Sequence, residues 1–540
     1  MTIVESPFDA ARRLPRREFL KRAGAVSLVA GVPTGLLTAC GSSGSSSSSE
    51  TLAIGTTDWL PPTFYVKKSL GAGLLTWVQF AWPLFVASGS GYEYRNGLAA
   101  GYEVSADGLT HTVTLRKGLT FHSGKPLDAK AVAANLRGVF FVDDPLHEGG
   151  IAYPQAAITV GEPSIVKSVD AVGKDQVRIE LTEFRNDIKT ALAFIPILDP
   201  ATLETDGYGT DAKALNEGGS GPFELTKFEP GDFVELVPYP KFFEQVKPQR
   251  VRVVNFGDPG TLALALKGGE VRVASGLAKA DFDSAVGNGF KAVTSEPAVN
   301  VDLIFSNYKD RAFDDVRVRK ALALAMNRKA YTELYFSVGT ARESSQPVIP
   351  PGLPGYVRGL QPLPHDVAAA GKLLAEAGQP APKLTLSVPN ARSPISSTKG
   401  LAEAIAADAG QAGFRMEIEV LEETVAEEKL QNGELEAFIE GPGGQPDPFI
   451  LFDLYFAYPE YQPGPLANYP SISKDLAAAH ATHDVTERNE LLENIIRTTT
   501  EEVLMVPISV VDYSAVVADD IHGFPLSCTA LDPWNRTTLG

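Results

Sequence analysis

One hydrophobic core cannot fill a chain this long. The sequence runs to 540 residues, and single cores stop growing at roughly 250–300 residues. Two or more lobes are therefore expected. No repeat of 20–50 residues runs through the chain. From Thr51 onward, apolar strands and amphipathic helices are mixed.

Local patterns define several of these elements. Residues 110–116 alternate at period two and read as a strand. Gly124, Lys125 and Pro126 then turn the chain into a helix capped by Asp128, with Val132, Leu136, Val139 and Phe140 on its apolar face. Asp314 is the expected cap of a helix carrying Val318, Leu322, Ala325 and Met326. Asp366 caps one that ends at Gly378, and Leu401, Ile405 and Ala409 line the next. Thr424 and Glu427 have capping-box spacing for a short helix closed by Gly433. Strands at 383–388 and 415–421 alternate with these helices. The fold class is α/β, mixed with α+β.

Composition narrows the function. With 44% hydrophobic and 21% charged residues, the chain is of the ordinary soluble globular type. A mean hydropathy of −0.03 excludes a polytopic membrane protein. The net charge of −18 repels phosphate backbones, so nucleic acid is not an expected partner. Two cysteines, Cys40 and Cys528, are too few for a disulfide framework or a Cys-based metal site.

The positive charge at the N-terminus runs against this acidic background. Arg16-Arg17-Glu18-Phe19-Leu20-Lys21 resembles the twin-arginine export signal. An apolar stretch over 23–37 follows, broken by Gly24, Gly31, Pro33 and Gly35. It is too short and interrupted to serve as a permanent membrane span. Leu37-Thr38-Ala39-Cys40-Gly41 then resembles a bacterial lipobox. That resemblance implies cleavage before Cys40, removal of residues 1–39, and acylation of the Cys40 thiol, with palmitate-type chains anchoring the protein to a membrane. Residues 40–50, rich in Gly and Ser, form a flexible tether.

Five blocks, in order, resemble the family 5 extracellular solute-binding proteins, a group that includes dipeptide-, oligopeptide- and nickel-binding components of ABC importers. The first block runs from Leu115-Arg116-Lys117-Gly118 through Phe121-His122-Ser123-Gly124-Lys125-Pro126-Leu127. The second is Gly219-Ser220-Gly221-Pro222-Phe223, and the third is Phe313-Asp314-Asp315-Val316-Arg317-Val318-Arg319-Lys320-Ala321-Leu322. Lys372-Leu373-Leu374-Ala375-Glu376-Ala377-Gly378 and Gln445-Pro446-Asp447-Pro448 complete the set. The resemblance implies a two-lobed, periplasmic-binding-protein-like fold with the ligand in an interlobe cleft. One lobe would comprise 51–299, with 512–540 returning to it, and the other 300–511. It also implies an exported, monomeric protein at the outer face of the cell membrane or in the periplasm. Its partners would be a small solute and the permease subunits of an importer.

The resemblance also suggests pocket residues. Peptide-binding members hold the ligand amine with an aspartate; aligning on Asp447 and Pro448 puts Gly444 there, next to Gln445. A buried ammonium without a counter-charge is costly, which disfavours ordinary peptides. Arg392 corresponds to the arginine that grips the ligand carboxylate in dipeptide binders, and a guanidinium suits that task. Trp59, Trp77 and Trp82 fall in the segment bordering the cleft, and Trp59 and Trp82 are candidates to stack on a solute. Asn307 is expected at the lobe crossover.

Enzyme chemistry finds no support in the motifs. No Gly-x-Ser-x-Gly elbow occurs, and Gly118 to Lys125 misses phosphate-loop spacing, with Pro126 where a Ser or Thr is needed. His480 and His483, three apart on a predicted helix beside Asp484, read as surface histidines rather than metal ligands, and His122 reads as structural. No catalytic residue, metal or cofactor is expected. The alternatives are a ligand-sensing lipoprotein uncoupled from transport and a binder of nickel or metal chelates.

Overall fold

The computed structural model describes residues 50–57, 72–87, 94–147, 165–295, 299–336, 340–390, 395–441, 448–457, 462–526 and 532–540. Residues 47–540 form one compact unit. Within it, two large sheets organise two halves. The first has seven strands in the order Lys291–Thr294, Ser514–Val517, Val273–Ser275, Thr51–Thr56, Arg250–Asn255, Phe233–Pro238, Phe223–Glu229. Thr51–Thr56 pairs parallel with both of its neighbours, and the remaining pairings are antiparallel.

A four-stranded antiparallel sheet packs into the same half. It includes Thr110–Leu115, whose burial alternates residue by residue as the period-two pattern requires. The helix Ala129–Phe140 covers it. Asp128 caps this helix, accepting from the backbone N–H groups of Lys130 and Ala131. One apolar core joins helix, small sheet and one face of the large sheet; helices Pro259–Lys267 and Lys279–Gly287 close the other face with a smaller core.

The second half is a six-stranded sheet in the order Ala341–Glu343, Met505–Val511, Val299–Phe305, Ala437–Glu440, Lys383–Pro389, Arg415–Leu421. Val299–Phe305 and Met505–Val511 are buried along their whole length because helices cover both faces. Helices Val316–Ala325, Arg328–Tyr335, Val367–Glu376 and Thr398–Ala412 pack on one face, and Pro448–Phe456, Pro470–Ala481 and Val485–Glu501 on the other. Pro507 lies in the strand core beside a bulge at Val301/Asp302, where its missing N–H disturbs the ladder least.

Two helix starts differ from the sequence expectation by one or two residues. Asp314 closes a short 3₁₀ turn, and Asp315 caps Val316–Ala325 instead, accepting from the Arg317 N–H. Glu422 precedes Glu423–Gln431, so Thr424 falls inside the first turn rather than at the cap. Glu422 holds the cap position without a side-chain cap hydrogen bond.

The chain passes between halves twice, at 295–299 and at 511–514. Lys291–Thr294 pairs antiparallel with Ser514–Val517 in the first sheet, and Val299–Phe305 pairs with Met505–Val511 in the second. Between these pairings the Ser295 N–H donates to the Tyr513 carbonyl at 2.9 Å, and the Tyr513 N–H donates to Ser295 Oγ at 3.0 Å. Paired strands thus flank the crossover on both sides, reaching Ser295 and Tyr513 in the first half and Val299 and Val511 in the second.

Candidate functional site

Away from the crossover, the halves touch at a seam with an ionic centre. The segment between strand Gln176–Leu181 and helix Ile188–Ala193 carries Arg185, Asn186 and Asp187 from the first half. Opposite it lie helices Pro448–Phe456, Pro470–Ala481 and Val485–Glu501 of the second. Arg185 donates to Asp187 through two hydrogen bonds, at 3.0 and 2.5 Å, and its Nη2 reaches Asp453 Oδ2 at 3.2 Å. His480 Nε2 lies 2.8 Å from Asp453 Oδ1. Asp187, Asp453 and His480 are only 2%, 5% and 9% exposed, so these charges are out of water and depend on one another.

Burial alone would lower the Arg185 guanidinium, but Asp187 and then Asp453 outweigh it and hold it above its ordinary range. Burial would likewise raise the Asp187 carboxyl; the charge and hydrogen bonds of Arg185 hold it below the usual range instead. Among the described residues the His480 Nδ1 has no hydrogen-bond partner. Its Nε2 faces a carboxylate, which assigns a ring proton to Nε2.

Asp187, Asp453 and His480 bring donor atoms within 4.8 Å of one another, close enough to share a metal ion. Arg185 already contacts both carboxylates, so a divalent cation would add to an existing positive charge there. The donor set suits an ion pair better than a metal.

Neutral contacts surround this centre. Asn186 Nδ2 lies 3.4–3.5 Å from the carbonyls of Ala479, His480 and Thr482, at the C-terminal end of Pro470–Ala481, and Arg488 donates to Asn186 Oδ1 at 2.8 Å. Those carbonyls lack partners within their own helix, so the first half supplies a cap in trans. Phe184 stacks on His483 with ring centroids 3.7 Å apart. Ile450 reaches across and joins the first half's apolar core.

The histidine expectation needs correction. Pro470–Ala481 ends before His483, so the two rings do not share a helix face. His480 is buried on Asp453 and stacks on Phe449, His483 lies in the turn against Phe184, and Asp484 caps the next helix. Arg185, Asp187 and Asp453 are absent from the sequence reading, yet one signal existed. Asp453 is the sole charge in the nine-residue helix PFILFDLYF, and a lone charge in a wholly buried helix demands a partner.

Trp82 is 0% exposed and sits inside the first core, edge-on to Phe242 at 5.1 Å. Gly97 packs so near its indole that an added Cβ would lie 3.0 Å from Nε1. Protein rather than a cleft surrounds it, with Phe242 and Gly97 arriving from later segments. Trp77 is equally buried. Asn307 follows the end of Val299–Phe305 remote from the crossover, where its Nδ2 donates to the Gly433 carbonyl at 2.6 Å. It ties the strand end to the segment around Gly433 and Leu435, away from the crossover at the strand's other end. Arg16, Arg17, Cys40, Trp59, Arg392, Gly444 and Gln445 lie outside the described residues.

The recurring blocks pack against one another. His122 places its two ring nitrogens 3.0 Å from the carbonyls of Asn216 and Gly221. Gly219 must lack a side chain there, since a Cβ would lie 2.4 Å from the His122 ring. Arg319, 1% exposed, donates to the carbonyls of Phe313, Asp314, Glu502 and Val503, neutralising the orphan end of Val485–Glu501. These motif residues hold the scaffold together. Among the described residues no helix is long and apolar enough to cross a membrane.

Comparison with known proteins agrees with this architecture. The chain is 31% identical over 288 residues to the glutathione-binding protein GsiB of Salmonella paratyphi A, covering 53% of each chain. It therefore spans about half the length of that relative. It is 27% identical over 472 residues to the probable di/tripeptide-binding protein 5 of Pseudomonas aeruginosa, covering 82% of this chain and 86% of that one. Among solved structures, the periplasmic binding protein DppA of Helicobacter pylori, in complex with the peptide STSA, superposes with a TM-score of 0.75 at 20% identity. That match covers 91% of this chain and 98% of the other, and shows the two-lobed binding-protein fold. The sequence model for the bacterial extracellular solute-binding proteins, family 5, matches residues 93–462, and the chain belongs to that family.

Proposed function

We propose that this chain is the exported, lipid-anchored solute-binding component of an ABC importer. It captures a small organic solute between two lobes and presents the closed form to the permease subunits. One lobe is 51–299 with 512–540, and the other is 300–511. Residues 1–39 direct export, Cys40 carries the acyl anchor, and 40–50 form the tether. The protein binds its solute without making or breaking bonds.

The observation that carries this reading is the pair of sheets joined at a crossover that paired strands flank on both sides. Such a link lets two rigid halves rotate about a few residues while each core stays intact. A solute that contacts both halves stabilises the closed arrangement by its extra contacts, and this differential affinity drives closure. The relatives' names, glutathione and di/tripeptide binding, support a peptide-like or related organic solute. Arg392 is proposed to grip an anionic group of it, with Gly444 and Gln445 beside it in place of an amine-binding carboxylate.

Native mass spectrometry of protein purified without refolding tests this directly. A discrete mass increment that is lost on denaturation is expected; bare protein in every preparation, together with no binding of glutathione or di- and tripeptides, would overturn it. Once a solute is in hand, Arg392→Ala should weaken binding at least about tenfold, the loss of one charge-assisted contact. Equal affinity would remove Arg392 from the site.

A further inference from the structure

We infer that Arg185, Asn186, Asp453 and His480 form a latch between the halves, giving the closed arrangement a stability that does not come from solute. The residues lie on the two sides of the junction. Arg185 and Asn186 precede helix Ile188–Ala193 in the first half, while Asp453 and His480 sit on two helices of the second.

Each partner is prepared on its own side. Asp187 holds Arg185 by two hydrogen bonds within the first half, aiming the remaining Nη2 contact at Asp453. His480 positions Asp453 from the neighbouring helix of its own half. Closure then joins two pre-oriented pairs, so little side-chain freedom is lost at that moment.

The same closure caps the end of Pro470–Ala481 with Asn186 and seats Phe184 on His483. Opening instead returns Arg185 and Asp453 to water, where their mutual attraction is weak. The contacts therefore discriminate between the open and closed arrangements, as a latch requires. None of these residues is assigned to the solute pocket.

The test uses full-length protein freed of solute by unfolding and refolding, examined by small-angle X-ray scattering. Asp453→Asn and, separately, Asn186→Ala should raise the radius of gyration above wild type, shifting the closed-to-open ratio by at least about tenfold for Asp453→Asn. Asp453→Glu, which keeps a carboxylate facing Arg185, should stay nearer to wild type than Asp453→Asn. Circular dichroism identifies variants that fail to fold, and the Asn186→Ala variant keeps the test open if Asp453→Asn does so.

Superposable scattering curves for folded wild type, Asp453→Asn and Asn186→Ala would overturn the latch. So would a His480-dependent zinc site in the wild type, because the cluster would then belong to a metal. The measurement involves no solute, so absence of a retained solute and absence of a latch are separate outcomes.

Discussion

At the crossover the two halves are joined mainly by backbone: paired strands, the Ser295 N–H on the Tyr513 carbonyl, and the Asp512 N–H donating to the Thr340 carbonyl at 2.6 Å, with Ser295 Oγ adding one side-chain acceptor. At the seam they are joined by side chains: Arg185 on Asp453, Asn186 on a helix end, Phe184 on His483. Paired strands absorb rotation over several residues without losing their ladder. An ion pair loses most of its energy within a few ångströms. The same two bodies are therefore linked by one contact that bends and one that breaks.

The strongest way to break this contrast is Arg185→Ala. It strands the buried Asp187 beside Asp453, and a loss of about 3–5 kcal/mol in urea unfolding is expected. A loss below about 1 kcal/mol would mean that the seam is as solvated as an ordinary surface pair.

Titration sharpens the comparison between the halves, since each buries a group in its neutral form. In the second half burial pushes the Asp302 carboxyl up to about 8, against one hydrogen bond from the Val348 N–H. The unfolded carboxyl ionises near pH 4, so the unfolded state releases this proton first. Stability should fall as pH rises from about 4 to 8, by up to about 1.4 kcal/mol per pH unit. Asp302→Asn should flatten that slope; an unchanged slope would show the carboxyl already ionised when folded.

In the first half burial lowers His122 to about 4 despite the carbonyls at its ring. The sign is opposite. The unfolded imidazole takes up its proton near pH 6.5, and stability is lost as pH falls from there toward 4. The acid slope should vanish in His122→Gln, monitored by thermal unfolding between pH 4 and 7.

The smallest expected effect lies at the crossover. Ser295→Ala removes the acceptor for the Tyr513 N–H and should cost about 1 kcal/mol, with the radius of gyration unchanged. A shape change would mean that this side chain, rather than the backbone, sets the angle between the halves.

Much of the scaffold was legible because local rules dominate it. Asp128 and Asp366 cap where spacing placed them, and Leu401, Ile405 and Ala409 are buried together. The motif blocks identified the family because His122, Gly219, Gly221 and Arg319 make contacts that few other residues satisfy. The seam was less legible. Arg185 and Asp453 are 268 positions apart, and no periodicity links them. His480 looked like a surface residue although it follows Ile472, Leu476 and Ala479 on the buried face of its helix, and Trp82 looked available to a solute because burial by distant segments leaves no local mark.

Sequence alone determined the acidic composition, the family motifs, the mixed α/β elements and the need for more than one lobe. These follow from composition, spacing and the limit on core size, all of which act over short range. Tertiary structure alone decided which charges are buried, which histidine has a partner, and where the halves meet. Such contacts join segments hundreds of residues apart, and their energy depends on exclusion of water that only the folded chain provides.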